Sequence, residues 1–175
     1  MTTLTPPPSF STRALNPDDA AAYLDIRLQA LGETPPAFGS LPHTEPDLTR
    51  TQARLAPHHE RAFFGIFHEE RLVGITRVYL DDAPNEKHRA HLASLYVRPH
   101  FRAHGCGKTL VHKAIDWAAE HPGVRRINLT VVTGQSAAIG LYKSLGFRIY
   151  GTEPEAFSKN GRFYDEHLMT LELPR

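Results

Sequence analysis

Apolar positions along the chain recur at spacings of three to four residues in some stretches and two in others, and each change of spacing marks a change of element. Residues 10–15 read as a first strand. Asn16-Pro17-Asp18-Asp19 then has the make-up of a helix start: an asparagine cap, a proline at the first helical position, and acids at the positive end of the dipole. Tyr23, Leu24, Arg27, Leu28 and Leu31 follow at helical spacing and predict a helix over 18–31 that buries this stripe. Pro35, Pro36, Pro42 and Pro46, with Gly32 and Gly39, make 32–46 irregular, and a short helix is expected near 46–56. Two β-rich runs, 63–67 and 72–80, flank a polar turn and predict an antiparallel hairpin. After a polar loop over 81–89, residues 91–97 form a strand stopped by Arg98-Pro99, and alternation sets His91, Ala93, Leu95 and Val97 on one face. A helix over 107–120 turns Leu110, Val111, Ala114, Ile115 and Ala118 inward. The strand 127–132 is apolar enough to be covered on both faces. A helix over 136–145 ends at Gly146, and strands 147–150 and 163–173, joined through 151–161, complete the pattern.

This order predicts an α/β domain with a mixed sheet flanked by helices. Pro6-Pro7-Pro8 suits neither a helix interior nor a central strand, so residues 1–9 read as a flexible leader to one domain over 10–175. A length of 175 residues supports one core without disulfides or metal. The 20 basic and 19 acidic side chains leave a formal charge of +1, which gives no general attraction to nucleic acid or to an anionic membrane. No apolar run is long enough to span a bilayer, and the first residues lack the blocks of a signal peptide. With Cys106 as its single cysteine, the chain is expected in the reducing cytoplasm.

The chemistry concentrates between residues 95 and 108. A strand ends at proline, a short loop carries Gly105 and Gly107, and a helix begins. Glycines let the main chain approach a ligand, and a helix start offers unpaired N–H groups, so the segment reads as an anion site for phosphate or pyrophosphate, with Arg102 and Lys108 adding charge. Gly107-Lys108-Thr109 suggests a P-loop, but that motif needs glycine where Arg102 stands. A lone Gly-x-Gly is more often only a tight turn. His104, Cys106 and His112 lie close together, yet their spacing matches no zinc set, and no metal is expected.

Arg102-Ala103-His104-Gly105-Cys106-Gly107, after Leu95-Tyr96-Val97-Arg98-Pro99, resembles the Arg/Gln-x-x-Gly-x-Gly/Ala signature of GNAT N-acetyltransferases. Gln135 to Phe147, with Ala138, Leu141, Tyr142 and Gly146, is similar to that family's Asn-x-x-Ala-x-x-Leu-Tyr-x-x-x-Gly-Phe segment, except that Gln135 replaces the asparagine. The resemblance spans about residues 10–173. It implies the GNAT fold: a mixed, mostly antiparallel sheet of six to seven strands with about four helices, splayed between the fourth and fifth strands. It further implies acetyl-CoA as co-substrate, its pantetheine arm along Leu95, Tyr96 and Val97, and its pyrophosphate on Arg102, Ala103, His104, Gly105, Cys106, Gly107 and Lys108, with Gln135 beside the arm. Acetyl would pass directly to an amine acceptor of unread identity. Tyr142 stands where the family places a general acid. His91, on the strand before the splay, is a base candidate, with Glu33 behind it. Homodimers are common in that family, though no residue pattern selects one. A coenzyme-binding sensor without turnover is the other function such a fold would serve, and Gln135 is the residue that suggests it.

Overall fold

The computed structural model describes residues 9–33 and 36–174, so the expected leader lies outside them apart from Ser9. Strand β1 (Phe10–Ala14) leads through a 3-10 turn, Pro17–Asp19, into α1 (Ala20–Gly32). The Asn16 side chain accepts a hydrogen bond from the Asp18 N–H, and the Asp19 carboxylate accepts one from the Asn16 N–H. This reciprocal cap pairs donors that a helix start leaves open. Helix α1 buries Tyr23, Ile26, Arg27, Ala30 and Leu31. Leu28, expected in the stripe, is exposed, because it lies about 100° round the helix from Arg27 while Ile26 continues the line from Tyr23.

Helix α2 (Leu48–Leu55), capped by Asp47, precedes the hairpin β2 (Arg61–His68) and β3 (Arg71–Leu80). Then follow β4 (Arg89–Val97), α3 (Cys106–Ala119), β5 (Arg126–Val132), α4 (Ser136–Ser144), β6 (Arg148–Lys159) and β7 (Arg162–Glu172). The strands form one sheet in the order β1-β2-β3-β4-β5-β7-β6. Every neighbouring pair is antiparallel except β4 and β5. That parallel pair holds only through Arg89↔Arg126, Ala90↔Ile127 and His91↔Asn128, after which the strands part.

Each sheet face has its own core. On one side α3 and α4 cover Ile66, Val73, Leu92, Leu110, Val111, Ile127 and Met169. On the other, α1 and α2 cover Leu15, Phe63, Leu72, Ile75 and Tyr96, a cluster with no residue from β5, β6 or β7. Strand β5 is therefore not fully covered on both faces as expected: Ile127, Leu129 and Val131 are buried on one face, whereas on the other only Val132 is buried and Asn128 and Thr130 are open. None of the described helices is long and apolar enough to cross a membrane.

Two irregularities depart from the sequence reading. The β3–β4 register runs Ile75↔Tyr96 and then Arg77↔Ala93, so Ser94 and Leu95 together oppose Thr76, with Ser94 at φ 58°. The extra residue of this bulge reverses the alternation. Ala90, Leu92, Leu95 and Val97 join the core under α3, and Tyr96 joins the core under α1. The single face expected for His91, Ala93, Leu95 and Val97 is thus divided at Ser94. At the chain's end, the 151–161 connection is itself strand. Breaks in register near Gly151 and between Glu153 and Phe157 hide its period, and Pro154 is tolerated because β6 is an edge strand.

Candidate active site

Where β4 leaves β5, two cavities open and meet. One, of about 420 Å³, lies between the end of β4, the loop into α3 and the start of α4. The other, of about 320 Å³, lies on the α1–α2 side and is walled by Arg77, Ser94, Thr130, Tyr142 and Glu166 among others. Ala37, Leu95, Gln135 and Ala138 line both. Separation of the strands also frees the β4 edge beyond His91 from its pairing with β5.

The larger cavity ends on the glycine loop. Ala103 (φ 63°) and Gly105 (φ 79°) both adopt left-handed backbone, and Gly105 caps α3. The first N–H of this helix to meet a carbonyl is that of Thr109, on Gly105 at 3.0 Å. The N–H groups of Cys106, Gly107 and Lys108 have no helical partner at the positive end of the helix, an arrangement that suits an anion. A Cβ at Gly107 would stand 3.1 Å from Leu141, so bare main chain is also what lets α3 and α4 approach.

Arg102 donates through Nε to the Val97 carbonyl at 2.9 Å and through Nη2 to both Glu33 carboxylate oxygens at 2.7 and 2.8 Å. The Tyr96 hydroxyl donates to the same carboxylate at 2.5 Å, and with burial this bond holds its pKa well above the tyrosine range. Glu33 thus matches the charge that the sequence reading gave to phosphate through Arg102. Lys108 takes part in no ion pair among the described residues.

A family model described as "Acetyltransferase (GNAT) family" matches residues 28–147, more than half of the chain. The chain belongs to the GNAT acetyltransferase family. An L-methionine sulfoximine/L-methionine sulfone acetyltransferase of Pseudomonas aeruginosa is 36% identical over 80 residues, a match that spans 46% of each chain and so less than half of that relative's length. Among solved structures, a GNAT acetyltransferase of Streptococcus pneumoniae superposes with a TM-score of 0.85 at 23% identity, covering 95% of this chain and all of that one. A Salmonella typhimurium protein described as an acetyltransferase, solved with its cofactor acetyl-CoA, gives 0.82 at 22% identity with 95% of each chain covered. At these identities the structures establish the fold. This is the GNAT fold read from the sequence, with seven strands, four helices and the splay between β4 and β5.

In this GNAT domain the glycine loop, the end of β4 and α4 converge. Leu95, Tyr96, Val97, Arg102, Ala103, Gly105, Cys106, Gly107, Lys108 and Gln135 all border the larger cavity. His104 does not: its Nδ1 lies 2.8 Å from the Arg102 carbonyl and its ring packs near Phe10. Cys106 is buried, and desolvation raises its thiol pKa. The Gln135 amide donates to the Pro36 carbonyl at 3.2 Å, tying the start of α4 to the irregular segment. Among the described residues, no group of His, Cys, Asp and Glu side chains is gathered to hold a metal.

Tyr142 borders the smaller cavity, buried against Phe147, and burial raises its pKa. Its hydroxyl bonds to none of the described residues. His91 borders neither cavity. Its Nε2 is 2.9 Å from Asp81 and its ring stacks on Tyr79. Sequence reasoning passed over Glu166, half-buried in β7, whose carboxyl pKa is raised by desolvation and by Glu153 despite a hydrogen bond from Thr130. It also passed over Arg27, Arg54 and Arg77 on the same cavity. A signal was available, since Arg27 interrupts the apolar stripe of α1 and Arg77 interrupts the apolar run of β3.

Proposed function

We propose that this GNAT domain moves the acetyl group of acetyl-CoA directly onto a primary amine. The carrying observation is that a cavity ending in unpaired helix N–H groups meets a second, polar cavity at Leu95, Gln135 and Ala138. The first suits the coenzyme: Gly105 to Lys108 would hold its pyrophosphate, and the freed edge of β4 at Leu95, Tyr96 and Val97 would pair with its amide-bearing arm. Acetyl-CoA supplies a thioester whose carbonyl carbon takes the amine nitrogen's electron pair while the C–S bond breaks and the sulfur leaves with its pair. A β4 N–H at the splay would stabilise charge on the carbonyl oxygen, a contribution of about 3–4 kcal/mol for one fixed donor.

An alkylamine with a pKa of ~10.4 is mostly protonated near neutrality and must lose a proton to attack. We assign that proton to Glu166, whose raised pKa suits it to accept one, and not to His91, which Asp81 and Tyr79 hold outside the cavities. Tyr142, kept protonated by burial, supplies the proton that meets the departing sulfur. The single cysteine is in keeping with a cytoplasmic site of action.

The decisive variant is Gly105→Glu. A left-handed backbone resists any side chain, and a carboxylate at the cradle repels phosphate. Calorimetry should show coenzyme affinity reduced by at least about 100-fold, and thiol release with amines should vanish, while the circular dichroism spectrum stays that of the parent. Unchanged affinity would remove the basis of the proposal.

A further inference from the structure

Acetyl transfer to an amine calls for a base and a proton donor, but not for three arginines around the acceptor. Arg27 from α1, Arg54 from α2 and Arg77 from β3 nevertheless line the smaller cavity, against the carboxylates of Glu45 and Glu166. Arg27 and Glu45 form a buried ion pair at 2.9 Å, their side chains 6% and 9% exposed. The pair closes through a single hydrogen bond, leaving Arg27 Nη1 and Glu45 Oε2 buried without partners.

Arg77 is less satisfied still. Its guanidinium lies over the Tyr79 ring at 4.1 Å and near Phe63 at 5.7 Å, its Nε is buried without a partner, and no described carboxylate pairs with it. Burial lowers its pKa, and Arg54 and Arg61 lower it further. Arg54 shares the Phe63 ring, at 5.9 Å, and makes no ion pair among the described residues. A desolvated cation beside another of like charge is unfavourable unless an anion completes the site. The guanidinium fork matches a carboxylate with two parallel hydrogen bonds. In register Arg77 stands opposite Ala93, one residue before the Ser94 bulge, so the cation arises beside the splay where the two cavities join.

We propose that the acceptor carries its own carboxylate near the reacting amine, as an amino acid does, and that Arg77, with Arg54 beside it, binds that carboxylate. This rests on the acetyltransferase reading of the same cleft. A polyamine would bring further positive charge to arginines that already lack counterions. A peptide N-terminus has no carboxylate next to its amine. Both are therefore disfavoured.

The test uses the full chain, acetyl-CoA and a panel of L-amino acids, each with its carboxamide and its decarboxylated amine, together with spermidine. At least one amino acid should be acetylated with kcat/KM about 30-fold or more above its amide and amine, the range of a lost hydrogen-bonded charge partner. Arg77→Met should erase that preference through KM for the acid, so that acid and amide are used alike, with coenzyme affinity by calorimetry unchanged. Arg77→Lys should restore part of the preference, because it returns the charge without the fork. Equal use of acid and amide by the parent, or an equal loss on both in Arg77→Met, would overturn the proposal. An amino acid bound in calorimetry without thiol release would uphold the carboxylate site and sink acetyl transfer instead. Neither binding nor turnover of any amino acid, with spermidine acetylated, would uphold transfer and sink the site.

Discussion

Glu166 and Tyr142 border one cavity, and their surroundings suit them to the opposite tasks proposed for them. Desolvation raises both pKa values. For the carboxyl, this moves the proton-binding range toward neutrality, where a base is useful; for the phenol, it keeps the proton in place until a sulfur anion appears. The sign of the pH dependence follows. A base works deprotonated, so kcat/KM should fall as pH drops through the raised Glu166 pKa, above the ~4.3 of an ordinary glutamate. Glu166→Gln should lower the rate by about 100-fold or more and remove that acidic limb, while coenzyme binding persists. A pH–rate profile of parent and variant checks this, and an acidic limb surviving unchanged in Glu166→Gln would move the base elsewhere.

The β4 strand shows at the scale of one element how a single residue sets up the site. Ser94 holds a left-handed backbone, φ 58°, inside a strand. Its bulge carries Leu95 and Val97 to the α3 side and Tyr96 to the α1 side, just beyond the last β4–β5 pair. Left-handed backbone already costs Ser94 about 1–2 kcal/mol, and Ser94→Val adds the further crowding of a β-branched side chain. Its denaturation midpoint should fall accordingly and amine turnover should drop, whereas Ser94→Gly, free at that φ, should keep turnover near the parent's. The helices and the glycine loop were legible in the sequence because caps, stripes and Gly105-x-Gly107 are local signals. The bulge was not, because His91 to Val97 reads as unbroken alternation and only pairing with Ile75 and Arg77 reveals the extra residue. Strand β6 was cut short for the same reason, its period being broken twice. Of the candidate site, the side proposed for the coenzyme could be read from contiguous motifs. Of the other side only Tyr142 could be read, from the same segment that carries Gln135; Arg27, Arg54, Arg77 and Glu166 could not, because they come from four elements that only the fold brings together.

Across the whole molecule, the far end of the sheet reaches back to the irregular segment that walls the smaller cavity, the one proposed for the acceptor. The β6–β7 hairpin places Phe157, stacked on Tyr164, so close to Gly39 that a Cβ there would stand 3.1 Å from the ring. Nearby, Lys159 Nζ donates to the Leu31 carbonyl at 2.7 Å, at the end of α1. Gln135 makes a second tie from α4, to Pro36. Phe38, Gly39 and Ser40 line the smaller cavity alone, whereas the proposed coenzyme cradle is built by α3 and the loop before it, on the opposite side of the splay. Removing the Phe157 ring should therefore loosen one wall without touching the other. We expect Phe157→Ala to raise KM for the amine several-fold with kcat less affected, and to leave coenzyme affinity within about twofold, because a wall that positions the acceptor acts mainly on its binding. Steady-state kinetics in the amine, alongside coenzyme calorimetry, separate the two effects. If coenzyme affinity and KM for the amine worsened together, the hairpin would be supporting the domain as a whole, and its tie to the acceptor wall would carry no specificity.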